Sequence, residues 1–172
     1  MTEQLQRLTQ SAYAMAYQML GKREDAMDII QDAAAVALSH NSAPLSHSDE
    51  FKPWFFKVVR NRALDKLRRQ QRFFHESLTE DSTINDAKDE PQIQLEQLQL
   101  KQTIHKALMA ITFEQREIVL LKDYHGFNYS QIAQILDIPK GSVMSRLHRA
   151  RLSLRELLVD FNQLEGQSSD LL

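Results

Sequence analysis

Apolar residues recur at helical spacing along most of the chain. Near the N-terminus they fall three and four residues apart until Gly21 interrupts the pattern. A second helix is predicted from about Arg23 to Leu38, and a third over residues 51–72. Helical spacing returns near Ile93 and continues, with a break at Gly126, close to the C-terminus. No strand pattern or internal repeat stands out, so the predicted fold class is all-α, in two small helical domains.

The periodic pattern fails from about Glu76 to Pro91, where Ser, Thr, Asp and Asn dominate. A stretch of this composition is typical of a linker. We therefore divide the chain into an N-terminal domain (1–74), a flexible acidic linker (75–98), a C-terminal domain (99–165) and a polar tail (166–172).

Charge is segregated along the chain although its formal net charge is only −2 at pH 7. Residues 51–72 carry eight basic side chains and one acidic side chain, and they include four aromatic rings. Residues 76–96 carry seven acidic side chains and one lysine, whereas residues 140–156 carry five basic side chains and one acidic. Blocks of charge direct binding more than folding, so this order indicates charged partners.

Several classes of function lack the residues that they need. The chain has no cysteine, which excludes disulfides, thiolate metal sites and cysteine nucleophiles. Its six histidines show no metal-ligand spacing, and no Gly-rich phosphate loop is present, so we expect no metal, no cofactor and no enzymatic activity. The first residues are too polar for a signal peptide, and no apolar run approaches the roughly 18 residues of a membrane helix. We expect a cytoplasmic protein without membrane insertion.

The most specific pattern is a pair of helices within residues 128–158. Asn128 is placed to cap the first helix, with Gln131 three residues on. A short turn with Pro139 precedes the second helix, whose apolar side comprises Val143, Leu147, Ala150, Leu154 and Leu157. Its outward positions then hold Ser142, Ser145, Arg146, His148 and Arg149, which are residue types that contact bases and phosphates. The pattern predicts a helix-turn-helix with its recognition helix second, although a plain helical hairpin with a solvated basic face has the same spacing.

Three stretches resemble a known family. The segment YSQIAQILDIPKGSVMSRLHRARLSLRELL is similar to region four of bacterial sigma factors. GKREDAMDIIQDA and FKPWFFKVVRNRALDKLRR resemble their region two, in the same order. The short interval between them is similar to the layout of extracytoplasmic-function (group 4) sigma factors.

The resemblance implies a transcription initiation factor that binds core RNA polymerase and directs it to promoters. Region two would open the −10 element, because basic side chains neutralise the phosphates of a displaced strand. By similarity, the residues that bind this strand are Lys57, Arg60, Asn61, Arg62, Arg68 and Arg69. Trp54, Phe55 and Phe56 are predicted to be core residues in at least two of the three cases, since aromatics at helical spacing usually pack inside.

The same resemblance assigns the remaining surfaces. Region four would read the −35 duplex through Lys140, Ser142, Met144, Ser145, Arg146, His148 and Arg149. Met144 departs from the basic residue that the family usually has there. Core polymerase would meet its clamp helices at Glu24, Asp25, Asp28, Gln31 and Asp32, and its flap at region four. An anti-sigma factor is the further partner that such proteins usually have.

Two other functions remain open from the residues alone. One is a stand-alone helix-turn-helix regulator that binds duplex operators. The other is an adaptor whose charge blocks serve only protein contacts. The second basic, aromatic stretch over residues 51–72 favours the sigma factor, because a duplex repressor has no use for it.

Overall fold

The computed structural model describes residues 3–39, 43–45, 48–76 and 95–169. Along these residues the chain forms seven α-helices and one π-helical turn, without a strand. The helices are α1 (Glu3–Leu20), α2 (Arg23–Ser39), α3 (Phe51–Glu76), α4 (Leu95–Ala110), α5 (Phe113–Val119), α6 (Tyr129–Leu136) and α7 (Lys140–Ser169), and the π-helical turn is Leu120–Tyr124. The all-α prediction is confirmed. Most of the predicted linker, residues 77–94, lies outside the described residues.

Helices α1, α2 and α3 pack together as the N-terminal half. Helix α1 ends where Gly21 adopts a φ of 74°, and the Gly21 N–H donates to the Tyr17 carbonyl at 2.8 Å. Each helix buries one apolar side: Ala12, Met15, Ala16 and Met19 on α1, Ala26, Ile29, Ile30 and Ala33 on α2, and Phe56, Val59 and Ala63 on α3. Phe55 and Phe56 are core residues while Trp54 is half-buried, as the aromatic spacing predicted.

Helices α4 to α7 form the C-terminal half, and two of them begin at capping boxes. Thr112 accepts from the Gln115 N–H at 3.2 Å, and Asn128 accepts from the Gln131 N–H at 2.9 Å. Each glutamine side chain accepts in return from the N–H of the capping residue. The Asn128 box is the one that the sequence predicted. Helix α7 continues to Ser169, which includes the start of the predicted tail.

The helix before the predicted break at Gly126 changes its winding. It leaves α-helical geometry after Val119, and the His125 N–H donates across the wider turn to the Leu120 carbonyl at 2.9 Å. Leu120 and Leu121 are both buried in this turn, and Gly126 ends it with a φ of 70°. The wider turn leaves His125 against the N-terminal half.

The two halves share one hydrophobic core. The Phe56 ring of α3 meets the Phe127 ring edge-on, with centroids 4.9 Å apart. The Tyr17 ring of α1 stacks on His105 of α4 at 5.3 Å. The sequence predicts two domains and does not predict this contact between them.

A buried arginine ties the two halves together. The guanidinium of Arg116 donates to the carbonyls of Leu108 at 2.6 Å, Met109 at 3.1 Å and Ile111 at 3.2 Å, and also to that of Met19. These carbonyls lie at the C-terminal ends of α4 and α1, where helices leave acceptors unpaired and carry partial negative charge. Burial lowers the pKa of Arg116, and the carbonyl oxygens replace the water that the cation has lost.

We expect Arg116→Met to lower the free energy of unfolding by about 2–4 kcal/mol, because it leaves several buried carbonyls without a hydrogen-bond donor. Arg151→Met is the control, since the Arg151–Asp123 pair is exposed and such pairs contribute about 1 kcal/mol or less. Urea unfolding followed by circular dichroism measures both. Equal losses in the two variants would contradict the stabilising function of Arg116.

Two histidines of the C-terminal half pack onto α1 and α3. The His105 Nδ1 lies 3.0 Å from the Gln18 Oε1, and the His125 Nδ1 lies 3.2 Å from the Ser11 Oγ. Both Nε2 atoms are buried without a hydrogen-bond partner. Burial, with a smaller effect of Lys52, lowers the pKa of His125 to about 4. Burial and the nearby Arg116 also lower the pKa of His105.

Acid should therefore lower the free energy of unfolding, because His125 must remain unprotonated in the folded state. The folded state binds the proton less tightly than the unfolded state, so this stability is present above about pH 6.5 and is lost as pH falls toward 4. We expect His125 to account for a loss of about 2 kcal/mol between about pH 7 and about pH 5. The free energy of unfolding of His125→Gln, measured at both pH values, should not show this part of the loss. His148→Gln, an exposed histidine on α7, should retain it; an identical pH profile for all three proteins would contradict the assignment.

Candidate nucleic-acid interface

Helices α6 and α7 form the predicted helix-turn-helix. The turn between them contains Asp137, which adopts a left-handed conformation with a φ of 53° and ends α6. Val143, Leu147 and Ala150 anchor α7 in the core. This packing leaves the residues expected to read the −35 duplex at the surface, with Ser142 half-buried and the following residues exposed: Lys140, Met144, Ser145, Arg146, His148 and Arg149.

A polar notch adjoins the exposed face of α7. Its volume is about 380 Å³, and it is lined by Lys122, Asn128, Tyr129, Ser130 and Lys140. The Lys122 Nζ lies 5.1 Å from the centre of the Tyr129 ring and 3.4 Å from the Phe127 carbonyl. Two lysines beside the start of α6 suit a phosphate group. Sequence reasoning missed Lys122, Tyr129 and Ser130, although the capped helix start at Asn128 pointed to this location.

The basic face of α3 is only partly open. Asn61, Arg62, Arg68 and Arg69 are exposed. Arg62 lies 3.9 Å from Asp32 and Arg68 lies 3.9 Å from Asp65, both as exposed pairs. The other two predicted residues on this face, Lys57 and Arg60, contact the C-terminal half instead.

Arg60 forms a two-pronged ion pair with Glu117 of α5. Its Nε donates to Oε2 at 2.6 Å and its Nη2 donates to Oε1 at 3.0 Å, and the two side chains are 14% and 4% exposed. Burial alone would lower the pKa of Arg60, but the hydrogen bond and charge of Glu117 raise it. Burial raises the pKa of Glu117, and Arg60 opposes this effect. The two hydrogen bonds favour an ionised pair at neutral pH.

Lys57 forms a second contact across the same boundary. Its Nζ lies 2.5 Å from the Asp137 Oδ1, in the turn of the helix-turn-helix. This pair is more exposed than the first, with side-chain exposures of 35% and 64%. Together the two pairs place carboxylates of the C-terminal half on two of the six predicted strand-binding residues.

The acidic face of α2 is also only partly open. Glu24, Asp28, Gln31 and Asp32 are exposed. Asp25 is held by α3, since the Lys66 Nζ lies 2.7 Å from Oδ1 and the Gln70 amide donates to Oδ2 at 3.0 Å. The hydrogen bond to Asp25 is the main cause that raises the pKa of Lys66.

Within the described ranges, no helix has the length and apolar character needed to cross a bilayer.

Comparison with known proteins identifies both halves. The family model for Sigma-70 region 2 matches residues 5–73, and the model for Sigma-70, region 4 matches residues 101–154. The first match ends within α3, and the second runs from α4 into α7.

Characterised relatives match across most of their length. The chain is 31% identical over 149 residues to the ECF RNA polymerase sigma factor SigL of Mycobacterium tuberculosis, which covers 83% of this chain and 81% of SigL. It is 29% identical over 156 residues to the ECF RNA polymerase sigma factor SigW of Bacillus subtilis, with coverages of 86% and 83%.

A solved structure agrees with the fold. The co-crystal structure of the sigma factor RpoE in complex with the anti-sigma factor NepR from Bartonella quintana matches with a TM-score of 0.73 and 28% sequence identity, over 90% of this chain and 93% of that chain. The chain therefore belongs to the extracytoplasmic-function family of RNA polymerase sigma factors: it is an initiation factor rather than an enzyme, and it binds core RNA polymerase and promoter DNA.

Proposed function

We propose that the chain recognises a promoter through two separate surfaces, with α3 on the displaced −10 strand and α7 on the −35 duplex. The observation that carries this proposal is the presence of two basic helix faces on different halves of one molecule. Run-off transcription with purified bacterial core polymerase on a promoter library tests it. Initiation from a defined subset of promoters should depend on the protein, and no stimulation by the protein would refute the proposal.

The −35 surface consists of the exposed face of α7 and the adjoining notch. Arg146 and Arg149 reach base edges and phosphates in the major groove, and Lys122 and Lys140 bind the flanking phosphates. Lys140, Ser142, Ser145 and His148 complete the polar part of this face. Met144 stands among them with 62% exposure, and an apolar side chain at this position suits contact with a thymine methyl group.

The −10 surface consists of Lys57, Arg60, Asn61, Arg62, Arg68 and Arg69. The exposed cations follow the strand's phosphates, and Asn61 hydrogen-bonds an unstacked base. Supporting this assignment, Phe51, Phe55 and Phe56 are core residues and Trp54 is half-buried. Charge is therefore the main feature of the open surface of α3 over residues 51–72.

Docking on polymerase uses the acidic face of α2. Glu24, Asp28, Gln31 and Asp32 are available for basic residues of the clamp helices, and Asp25 contributes mainly through its contact with Lys66. The C-terminal half meets the flap.

The domain boundaries that fit this assignment remain 1–74, 75–98, 99–165 and 166–172. The protein acts in the cytoplasm, and an anti-sigma factor is its further partner, since RpoE was solved with one.

Removal of the strand contacts should block promoter opening selectively. We expect the double variant Lys57→Ala, Asn61→Ala to lower open-complex formation at least about tenfold, because one phosphate contact and one base contact are lost. Its affinity for core polymerase, measured by co-elution and titration, should equal that of the wild type. Lys106→Ala with Gln102→Ala also removes one lysine and one carboxamide side chain, from the exposed side of α4, and is the matched control. Normal opening by the first variant would refute the assignment of α3.

Removal of the duplex contacts should change both affinity and salt dependence. Arg146→Ala and Arg149→Ala should each weaken binding to −35 duplex by about 1–3 kcal/mol and reduce the salt slope by about 1. Arg155→Ala lies further along the same helix and also removes one exposed cation. Fluorescence anisotropy over a range of salt concentrations measures all three. If Arg155→Ala has the same effect as the other two, α7 attracts DNA only by its general charge.

A further inference from the structure

Helix α3 carries an exposed aromatic ring near its C-terminal end. Phe73 is 67% exposed, whereas Phe51, Phe55 and Phe56 at the other end of the helix are buried. The helix continues to Glu76, so the helical backbone fixes where this ring lies. A phenylalanine at the surface offers a large, flat apolar area to a binding partner.

The contacts between α3 and α2 show which part of the N-terminal half lies beside Phe73. The two helices are antiparallel, and their side chains meet in steps of three or four residues on each helix: Arg62 with Asp32, Lys66 with Asp28, and Gln70 with Asp25. One further step brings Phe73 opposite residues 21–22, just before α2 begins at Arg23. Phe73 therefore lies beyond the end of α2, about one helical turn past the last of these contacts.

The surroundings of this ring are strongly basic. Residues 68–73 contain three arginines and no acidic residue. Exposed cations lie within one helical turn of the ring and at the adjoining start of α2: Lys22, Arg23, Arg69 and Arg72. Arg69 precedes Phe73 by four residues, so the two side chains lie on the same side of α3, with their Cβ atoms about 5–6 Å apart. This spacing suits a phosphate on Arg69 and the base of the same nucleotide on Phe73.

A ring among cations is more typical of a nucleic-acid site than of a protein contact. Proteins that bind single strands stack the bases on aromatic side chains and neutralise the phosphates with basic residues. Protein–protein contacts also use aromatic residues and arginine, but their centres are depleted in charge. The composition at this end of α3 therefore favours an unstacked base as the partner of Phe73.

We propose that Phe73 is a base-stacking residue for the −10 strand. Its ring holds one unstacked base against its face, and Arg69 and Arg72 bind the adjoining phosphates. This inference rests on the proposed function of α3. It extends the strand-binding surface one helical turn past Arg69, to about 18 Å from Asn61 along the helix axis. It also adds a contact that requires a base and does not depend on charge.

Substitutions at position 73 test the stack in holoenzyme assembled from the full-length chain and core polymerase. The probe is a single-stranded oligonucleotide that spans the −10 element and the bases on both sides, from a promoter on which the wild type supports run-off transcription. Phe73→Ala should weaken its binding at least about fivefold, which is the lower end of the effect of removing one base–aromatic stack. Phe73→Tyr should bind like the wild type. Phe73→Leu keeps an apolar side chain but loses the aromatic face, so it should behave like Phe73→Ala.

Two controls accompany these variants. Tyr124→Ala removes a ring of similar exposure from the C-terminal half, and it should bind the probe like the wild type. Phe73→Ala should unfold at the same temperature as the wild type, because substitutions at the surface change stability little. Its affinity for core polymerase should also be unchanged.

A scan with abasic sites identifies the stacked base. In the wild type, removal of this base should weaken binding about as much as Phe73→Ala does, and it should do so at one position of the strand. In Phe73→Ala an abasic site at that position should have no further effect, whereas abasic sites elsewhere should act as they do in the wild type. This non-additivity distinguishes a ring that stacks on a base from a ring that only supports α3.

The outcomes separate this inference from the function on which it rests. Equal binding of the probe by Phe73→Ala and the wild type would refute the stack. A loss that no abasic position cancels, or that appears as weaker binding to core polymerase, would assign the ring to packing or to a protein contact and would also refute it. In both cases the proposed function stands, because the wild type initiates at the promoter. If the protein supports no promoter-dependent transcription, the proposed function itself is refuted.

Discussion

The contact between the two halves depends on two consecutive residues of α5, one cationic and one anionic. The Arg116 guanidinium donates hydrogen bonds to carbonyls at the C-terminal ends of α1 and α4. The Glu117 carboxylate binds Arg60 of α3. The capping box at Thr112 fixes where α5 starts and therefore the direction in which both side chains leave the helix. Both side chains are buried, so each must find a partner within the fold.

Much of the fold could be predicted from the sequence because helices bury one face each. The three- and four-residue spacing identified the N-terminal helices, and Gly21 marked the end of α1. Asn128 and Gln131 form the predicted capping box, and α7 buries Val143, Leu147 and Ala150 as its spacing required. These features are local, since each depends on residues within about two turns of one another.

The contact between the halves could not be predicted in the same way. Periodicity identifies the buried face of a helix but not the helix that covers it. From the sequence, Lys57 and Arg60 could therefore be identified only as basic residues of α3. One signal was present: Arg116 and Glu117 stand directly before the apolar run IVLL. Two charged residues beside such a run indicate buried charges that need partners. The partners, on α1, α4 and α3, are known only from the structure.

The structure links recognition to the separation of the two halves. The free chain exposes its duplex-reading helix, whereas two of the six residues proposed to bind the strand, Lys57 and Arg60, are paired across the contact between the halves. Binding of the strand by these two residues requires a change in the arrangement of the halves. Labels on cysteines introduced at positions 22 and 106, exposed sites on either side of the contact, would report this change by a distance measurement. The distance should be short in the free chain and longer in an initiating complex with core polymerase and promoter DNA. An unchanged distance in an active complex would contradict the account.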